Sequence, residues 1–222
     1  MKYLGRISVV FIYITIVLGW HSIYFLIDYQ NAYVFMFEKG QYKLDLLFIP
    51  LFSPFFWWLG FQYDKAKFLS EKDALTGLYN RRFILQHTPK LLTKMDKKIK
   101  TLTIFVLDCN NFKQINDQHG HKVGDLVLTN ISQMLLTSTS DGDKVVRWGG
   151  DEFLIVSPYS EQKRTEVISD RIELALCQLS EKMGIEITIS IGIAVYPKDA
   201  SDFEELLTIA DRNMYERKMK IK

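Results

Sequence analysis

The sequence predicts an α/β (α+β) domain with a mixed central sheet flanked by helices, preceded by two transmembrane helices. Two observations support this prediction. The first 63 residues contain two long stretches without Asp, Glu, Lys or Arg, whereas the remainder has the composition of an ordinary globular domain. In that remainder, segments with strand-like and helix-like apolar patterns alternate, which is expected of a sheet covered by helices.

The N-terminal region, residues 1–63, is predicted to be a membrane anchor. Its uncharged stretches, residues 7–27 and 46–63, have about the length needed to cross a hydrocarbon core as helices. A signal peptide and a buried core helix are the alternatives. The first stretch is longer than a usual signal-peptide core, and no small-residue cleavage site follows it. The second is unusually aromatic, with Trp57 and Trp58 near its end, where indole rings favour the membrane boundary.

Basic residues flanking the two stretches predict their orientation. Five lysines and arginines lie at the outer flanks: Lys2, Arg6, Lys65, Lys67 and Lys72. Because cytoplasmic flanks carry the excess of basic residues, we expect both ends in the cytoplasm and residues 28–45 as a short outside loop. The prediction is therefore a multi-pass protein of the cell inner membrane. Residues 64–72 would be a linker to a cytoplasmic domain, residues 73–222.

The domain itself alternates strands and helices. Strands are predicted at residues 101–107, 144–148, 153–156 and 185–195. Helices are predicted at residues 122–138, 160–183 and 202–219, where apolar residues recur with helical spacing. Gly149 and Gly150 join the two middle strands, which is a strong hairpin signal.

Two adjacent carboxylates, Asp151 and Glu152, follow the Gly149-Gly150 turn. A turn without side chains allows a backbone to approach a phosphate closely. Carboxylates at the start of a strand are also suitable ligands for a divalent metal. The alternative is a hairpin whose glycines only supply positive φ.

A second polar group follows the predicted buried strand 101–107. Asp108 ends that strand, where ligands of open sheets gather, although a helix cap or turn aspartate is the alternative. Farther on, Asn116 and Asp125 offer an amide and a carboxylate. A carboxylate can accept from both N1–H and the exocyclic amine of guanine, and adenine lacks this pair of donors. These residues therefore indicate a guanine nucleotide.

Five blocks of the sequence resemble the GGDEF family of diguanylate cyclases in order and spacing. They are DALTGLYNRR (73–82), DCNNFKQINDQHGHKVGD (108–125), RWGGDEF (147–153), SIGIA (190–194) and ADRNMYERK (210–218). The resemblance covers residues 73–222. It implies Mg²⁺- or Mn²⁺-dependent condensation of two GTP into cyclic di-GMP and pyrophosphate by a homodimer of domains, with no nucleic-acid partner.

The resemblance also implies roles for single residues. Asp108, Asp151 and the backbone carbonyl of Cys109 would hold the metal, and Asp151 and Glu152 would be the catalytic residues. The implied substrate-binding residues are Asn116 and Asp125 for guanine, Phe112, Lys113 and Lys218 near the triphosphate, and Gly149 and Gly150 against the nucleotide.

The chain departs from the family pattern at two places. Where the family has a glycine and an arginine after the last lysine, this chain has Ile221 and Lys222, and lysine lacks bidentate phosphate geometry. The family's inhibitory RxxD motif reads SDGD at residues 140–143. With Ser140 replacing the arginine, we expect a degenerate inhibitory site in which Asp143 alone would repel the dianionic product.

The sequence leaves three alternatives to a diguanylate cyclase, of which a purely structural membrane hairpin explains none of the motifs. A catalytically silent GGDEF-like domain that senses or docks nucleotides is the main one, and it is disfavoured because every metal and guanine position is filled. A cyclase of mixed or adenine dinucleotides is disfavoured by Asp125. His119 and His121 suggest zinc, but no further Cys or His stands at metal-ligand spacing.

Overall fold

The computed structural model describes residues 4–98, 100–159 and 162–221. The chain divides into two compact units, Met1–Ser70 and Glu71–Lys222. The first contains the two apolar stretches and the second contains all of the motif blocks.

The N-terminal unit is helical. It comprises α1 (Leu4–Ile27), α2 (Tyr29–Tyr33), a short π-helical segment (Val34–Glu38) and α3 (Tyr42–Glu71). Both long helices confirm the predicted helical stretches, but α3 continues through the expected linker, residues 64–72, as far as Glu71. The charged residues of that segment end the apolar run but are compatible with helix, so the loss of hydrophobicity did not mark a helix end.

Specific contacts join the two long helices. The Asp64 carboxylate accepts hydrogen bonds from the backbone N–H groups of Gly5 (2.9 Å) and Arg6 (3.3 Å), two of the unpaired donors at the start of α1. A Cβ on Gly60 would overlap the backbone of Arg6, so this position requires glycine. Both helices are long and apolar enough to cross a membrane, and their apolar windows are almost entirely exposed. A helix of a soluble core would instead be mostly buried.

The C-terminal unit is a five-stranded sheet covered by helices. Its elements are β1 (Tyr79–Asn80), α4 (Arg81–Lys98), β2 (Leu102–Cys109), α5 (Phe112–His119), α6 (His121–Ser138), β3 (Lys144–Gly149), β4 (Glu152–Pro158), α7 (Gln162–Met183), β5 (Ile189–Tyr196) and α8 (Phe203–Ile221). The strand order is β1-β3-β4-β2-β5, with β1 parallel to β3 and the other pairs antiparallel. The predicted mixed sheet flanked by helices is confirmed.

Two apolar cores lie on the two faces of this sheet. Every residue of β2 is buried, because Phe105 and Leu107 contribute to one core while Ile104 and Val106 contribute to the other. The first core is shared with α5, α6 and α7, and the second with α4 and α8. Burial on both faces explains why β2 is a continuous apolar run.

Some predicted boundaries were wrong. The strand predicted from residue 185 begins at Ile189, because the backbone N–H and C=O of Ile187 pair with the Ser180 hydroxyl of α7 instead of a strand. Helix α4, which contains Pro89, and the eight-residue α5 were not predicted. The helix predicted from residue 160 is described from Gln162 onward.

Candidate active site

The three acidic residues predicted from separate segments meet at one end of the sheet. Asp108, near the end of β2, lies opposite Glu152 of β4 and Ser190 of β5 in the strand register. The Cys109 backbone N–H donates to the carbonyl oxygen of Asp151 at 3.2 Å. We call Asp108, Asp151 and Glu152 the carboxylate cluster.

Helix α8 brings a lysine to this cluster. Alternation along β2 places Asp108 on the face that packs against α8, and the Lys218 ammonium forms an ion pair with its carboxylate. The helix approaches β5 closely at Gly192, where a Cβ would overlap the Ala210 carbonyl oxygen and the Met214 amide nitrogen. The absence of a side chain at Gly192 therefore helps to set the position of Lys218.

The charges of the cluster are incompletely balanced. Burial raises the pKa of Asp151, and the Asp108 carboxylate adds to the increase. Burial also raises the pKa of Glu152, with further contributions from Asp108, Asp151 and Asp211. Lys218 opposes both shifts without cancelling them. A bound cation would relieve this repulsion.

The donor set fits magnesium or manganese. Among the residues that the structure describes, no three His, Cys, Asp or Glu side chains are grouped to hold a metal. Two carboxylates and a main-chain carbonyl, those of Asp108, Asp151 and Cys109, match the partial oxygen coordination of Mg²⁺, which is usually completed by substrate phosphates and water. Burial raises the pKa of the Cys109 thiol to about 12, so its side chain stays protonated.

The predicted hairpin is present and faces open space. Gly150 has φ +45°, and a Cβ on Gly149 or Gly150 would have no heavy atom of the described residues within 4 Å. Arg147 supports the turn from behind. Its Nε and Nη2 donate to the Gly150 carbonyl (3.0 and 2.7 Å), while Nη1 donates to Asp73 (3.0 Å). The exposed front of the turn is therefore free of side chains, as a nucleotide phosphate would require.

The residues predicted to bind guanine lie at the α5–α6 junction. Asn116 is in the last turn of α5 and Asp125 is exposed on α6. A Cβ on Gly124 would overlap Asn116 Oδ1 and lie 3.3 Å from the Phe112 ring. The glycine therefore allows both side chains to pack against the start of α6, next to Asp125. Asn116 Oδ1 is buried and accepts no hydrogen bond from any described residue.

The structure describes Lys113 and Lys218, the two lysines predicted to lie near the triphosphate. Lys113 is exposed on the first turn of α5, and Lys222 lies outside the described residues. Of the lysines singled out from the sequence, Lys218 is the one that the structure places in contact with the carboxylate cluster.

The expectation that Asp143 stands alone is wrong. Its buried carboxylate accepts hydrogen bonds from Arg164 Nη2 (3.0 Å), the Ser157 hydroxyl (2.7 Å) and the Ser140 backbone N–H (2.9 Å). Arg164 was not predicted, because it lies 21 residues away on α7 and only the fold brings it near. Beside it is a cavity of about 420 Å³, whose lining includes Lys163 and Arg171.

The chain was compared with known proteins. Residues 70–222 match the family described as "Diguanylate cyclase, GGDEF domain". Diguanylate cyclase DosC of Escherichia coli (strain K12) and diguanylate cyclase TpbB of Pseudomonas aeruginosa PAO1 are 33% and 34% identical over 147 residues, or 64% of this chain. The match spans about a third of their own length, 32% and 34%.

A solved structure supports the same relationship. The GGDEF domain of TpbB from Pseudomonas aeruginosa superposes with a TM-score of 0.63 at 33% identity, covering 67% of this chain and 89% of that domain. The fold, the convergence of the sequence blocks and a family match over more than half of the chain agree. The chain therefore belongs to the GGDEF family of diguanylate cyclase domains.

Proposed function

We propose that this protein is a membrane-anchored diguanylate cyclase that condenses two GTP into cyclic di-GMP and two pyrophosphates with Mg²⁺ or Mn²⁺. The observation that carries the proposal is the meeting of Asp108, Asp151 and Glu152 beside an open Gly149-Gly150 turn. The names of DosC and TpbB support the same activity.

The carboxylate cluster would bind the metal and the phosphates together. Asp108, Asp151 and the Cys109 carbonyl would hold the ion, which when bound neutralises the charge that develops on the phosphates and the leaving group. Lys218 would contribute a second positive charge near the triphosphate. The backbone of the Gly149-Gly150 turn would approach the phosphates without steric hindrance.

Asn116 and Asp125 would select guanine. The unpaired Oδ1 of Asn116 and the exposed carboxylate of Asp125 are acceptors, and guanine presents N–H donors at its N1 and exocyclic amine. Adenine would leave these acceptors unpaired. A site built to pair such groups rejects an analogue without them strongly.

The reaction requires two domains. In each transfer the 3′-hydroxyl of one GTP forms a bond to the α-phosphorus of the other, and pyrophosphate leaves. Glu152, whose pKa is raised, is suited to accept the hydroxyl proton. A pair of facing domains would place the two nucleotides in line, which replaces a random encounter by a positioned one.

The N-terminal unit would anchor the enzyme and favour pairing. We propose that α1 and α3 span the inner membrane, with residues 28–45 outside and residues 73–222 in the cytoplasm. Confining two partners to one membrane raises their effective concentration. Proteases added to sealed spheroplasts should therefore leave the cyclase domain uncut.

A product assay tests the activity. The purified full chain in detergent micelles, incubated with GTP and Mg²⁺, should yield cyclic di-GMP by mass spectrometry, and ATP should yield no cyclic product. GTP binding without product would instead identify a silent nucleotide-sensing module. Equal use of ATP and GTP would overturn the guanine-reading roles of Asn116 and Asp125.

A further inference from the structure

Asn110 is a buried polar residue beside the carboxylate cluster to which the proposed function gives no role. It follows Cys109 directly and is 7% exposed. Its Nδ2 donates to Thr188 Oγ1 at 3.2 Å, and its Oδ1 accepts from Ser190 Oγ at 2.8 Å. Its backbone N–H also donates to the Thr188 carbonyl at 2.9 Å. Asn110 thus joins the segment after β2 to the start of β5 through both backbone and side chain.

These hydrogen bonds lie behind the groups that face the substrate. Ser190 is 1% exposed and lies opposite Asp108 in the strand register. On one side of Asn110 is the Cys109 carbonyl. On the other side is Asn111, whose φ of +55° turns the chain into α5. The position of Asn110 therefore affects both the carbonyl and the helix that carries Asn116.

The side chain of Asn110 is also electrically neutral. It stands two residues from Asp108, in the turn that follows β2. An ionised carboxylate at this position would repel the carboxylates of Asp108, Asp151 and Glu152. An amide can form the same kind of buried connection without that charge.

We propose that Asn110, together with Ser190, is a positioning residue that fixes the Cys109 carbonyl and the start of α5 relative to Asp108. The inference rests on the proposed function, because it assigns this connection to the metal and nucleotide site described there. Hydrogen bonds behind a metal ligand orient it, and their loss typically weakens metal binding or activity about 10- to 100-fold.

The test compares two serine-to-alanine substitutions, each made in the full chain and studied in detergent micelles. Ser190 and Ser132 are both 1% exposed, but the Ser132 hydroxyl donates to the Leu128 carbonyl within its own helix, α6, and not to Asn110. Binding of Mn²⁺ in the presence of α,β-methylene GTP is followed by the electron paramagnetic resonance of free Mn²⁺, and thermal unfolding is measured in parallel. Ser190→Ala should weaken Mn²⁺ binding about tenfold, whereas Ser132→Ala should leave it unchanged even if the variant unfolds at a lower temperature.

A double variant tests whether the two residues act as one unit. Asn110→Ala should weaken Mn²⁺ binding at least as much as Ser190→Ala does. The double variant that carries both substitutions should bind Mn²⁺ as tightly as Asn110→Ala alone. Unchanged Mn²⁺ binding in Ser190→Ala, or equal weakening in Ser132→Ala, would overturn the positioning role. If the wild-type chain bound no Mn²⁺ and made no cyclic di-GMP, the proposed function itself would be overturned.

Discussion

The GGDEF domain contains two acidic sites whose surroundings differ, Asp143 and the carboxylate cluster. Asp143 accepts hydrogen bonds from an arginine, a hydroxyl and a backbone N–H. Asp151 and Glu152 instead lie beside Asp108, and their pKa values are raised because burial and neighbouring charges disfavour ionisation. The charge of Asp143 is therefore neutralised within the protein, whereas the carboxylate cluster keeps negative charge that Lys218 does not balance. Buried charges are expensive unless paired, so unbalanced ones indicate that a ligand completes the pairing.

The largest expected effect is loss of activity when the cluster loses a charge. Asp108→Asn and Asp151→Asn each keep the side-chain shape but remove a metal-ligand charge. Each should reduce cyclic di-GMP synthesis by about 100-fold or more, since changes behind a metal ligand alone cost up to that factor. Initial rates with saturating GTP and Mg²⁺ measure this, with circular dichroism as the check on folding. A folded Asp151→Asn variant with full activity would refute the metal assignment.

Inhibition by cyclic di-GMP tests whether Asp143, which is paired with Arg164, can also bind the product. Because Asp143 is already paired with Arg164, a ligand must compete for its acceptors, and we propose that inhibition through this site is weak. Ser140→Arg restores the arginine of the family motif. It should tighten inhibition by about one to two decades, the value of a charge-assisted contact of about 1.5–3 kcal/mol.

Initial rates at increasing cyclic di-GMP would measure this change in both proteins. Strong inhibition of the wild-type chain that is lost in Arg171→Ala would show that the basic cavity holds the product without the missing arginine.

The reciprocal test removes Asp143. Asp143→Ala leaves the Arg164 guanidinium and the Ser157 hydroxyl without their partner. It should lower the free energy of unfolding by about 1–3 kcal/mol while leaving activity per folded molecule unchanged. Urea unfolding measures the free energy of unfolding, and initial rates measure the activity per folded molecule. A large loss of activity without loss of stability would mean that Asp143 belongs to the catalytic machinery.

The smallest effect concerns stability and pH. The folded-state pKa of Asp151 lies above its unfolded value, so the metal-free protein loses stability as pH rises from the unfolded pKa through the folded one. Asparagine cannot ionise. Asp151→Asn should therefore unfold at a higher temperature than wild type at neutral pH in chelator, and the difference should vanish at pH values below the ordinary aspartate range. Equal melting temperatures at neutral pH would contradict this.

The sequence predicted the candidate site better than its surroundings. Asp108, Asp151 and Glu152 could be found because each occupies a strand end or a turn with a recognisable local pattern. Arg164 could not, since its partner Asp143 is distant in the chain and a single arginine on a helix has no local signal. The helical continuation of α3 through residues 64–71 was also missed, because the pattern of hydrophobicity marks where an apolar run stops and not where a helix ends.

Gly192 has a consequence for distinguishing active relatives from silent ones. Its missing side chain lets α8 lie against β5, and α8 carries the lysine that contacts Asp108. Replacement by alanine would push the helix outward without altering any acid, amide or lysine of the site. A homologue could thus retain every letter of the GGDEF signature and still misplace its lysine. The residue at the position of Gly192, which faces Ala210 and Met214, should therefore be checked before such a homologue is assigned enzymatic activity.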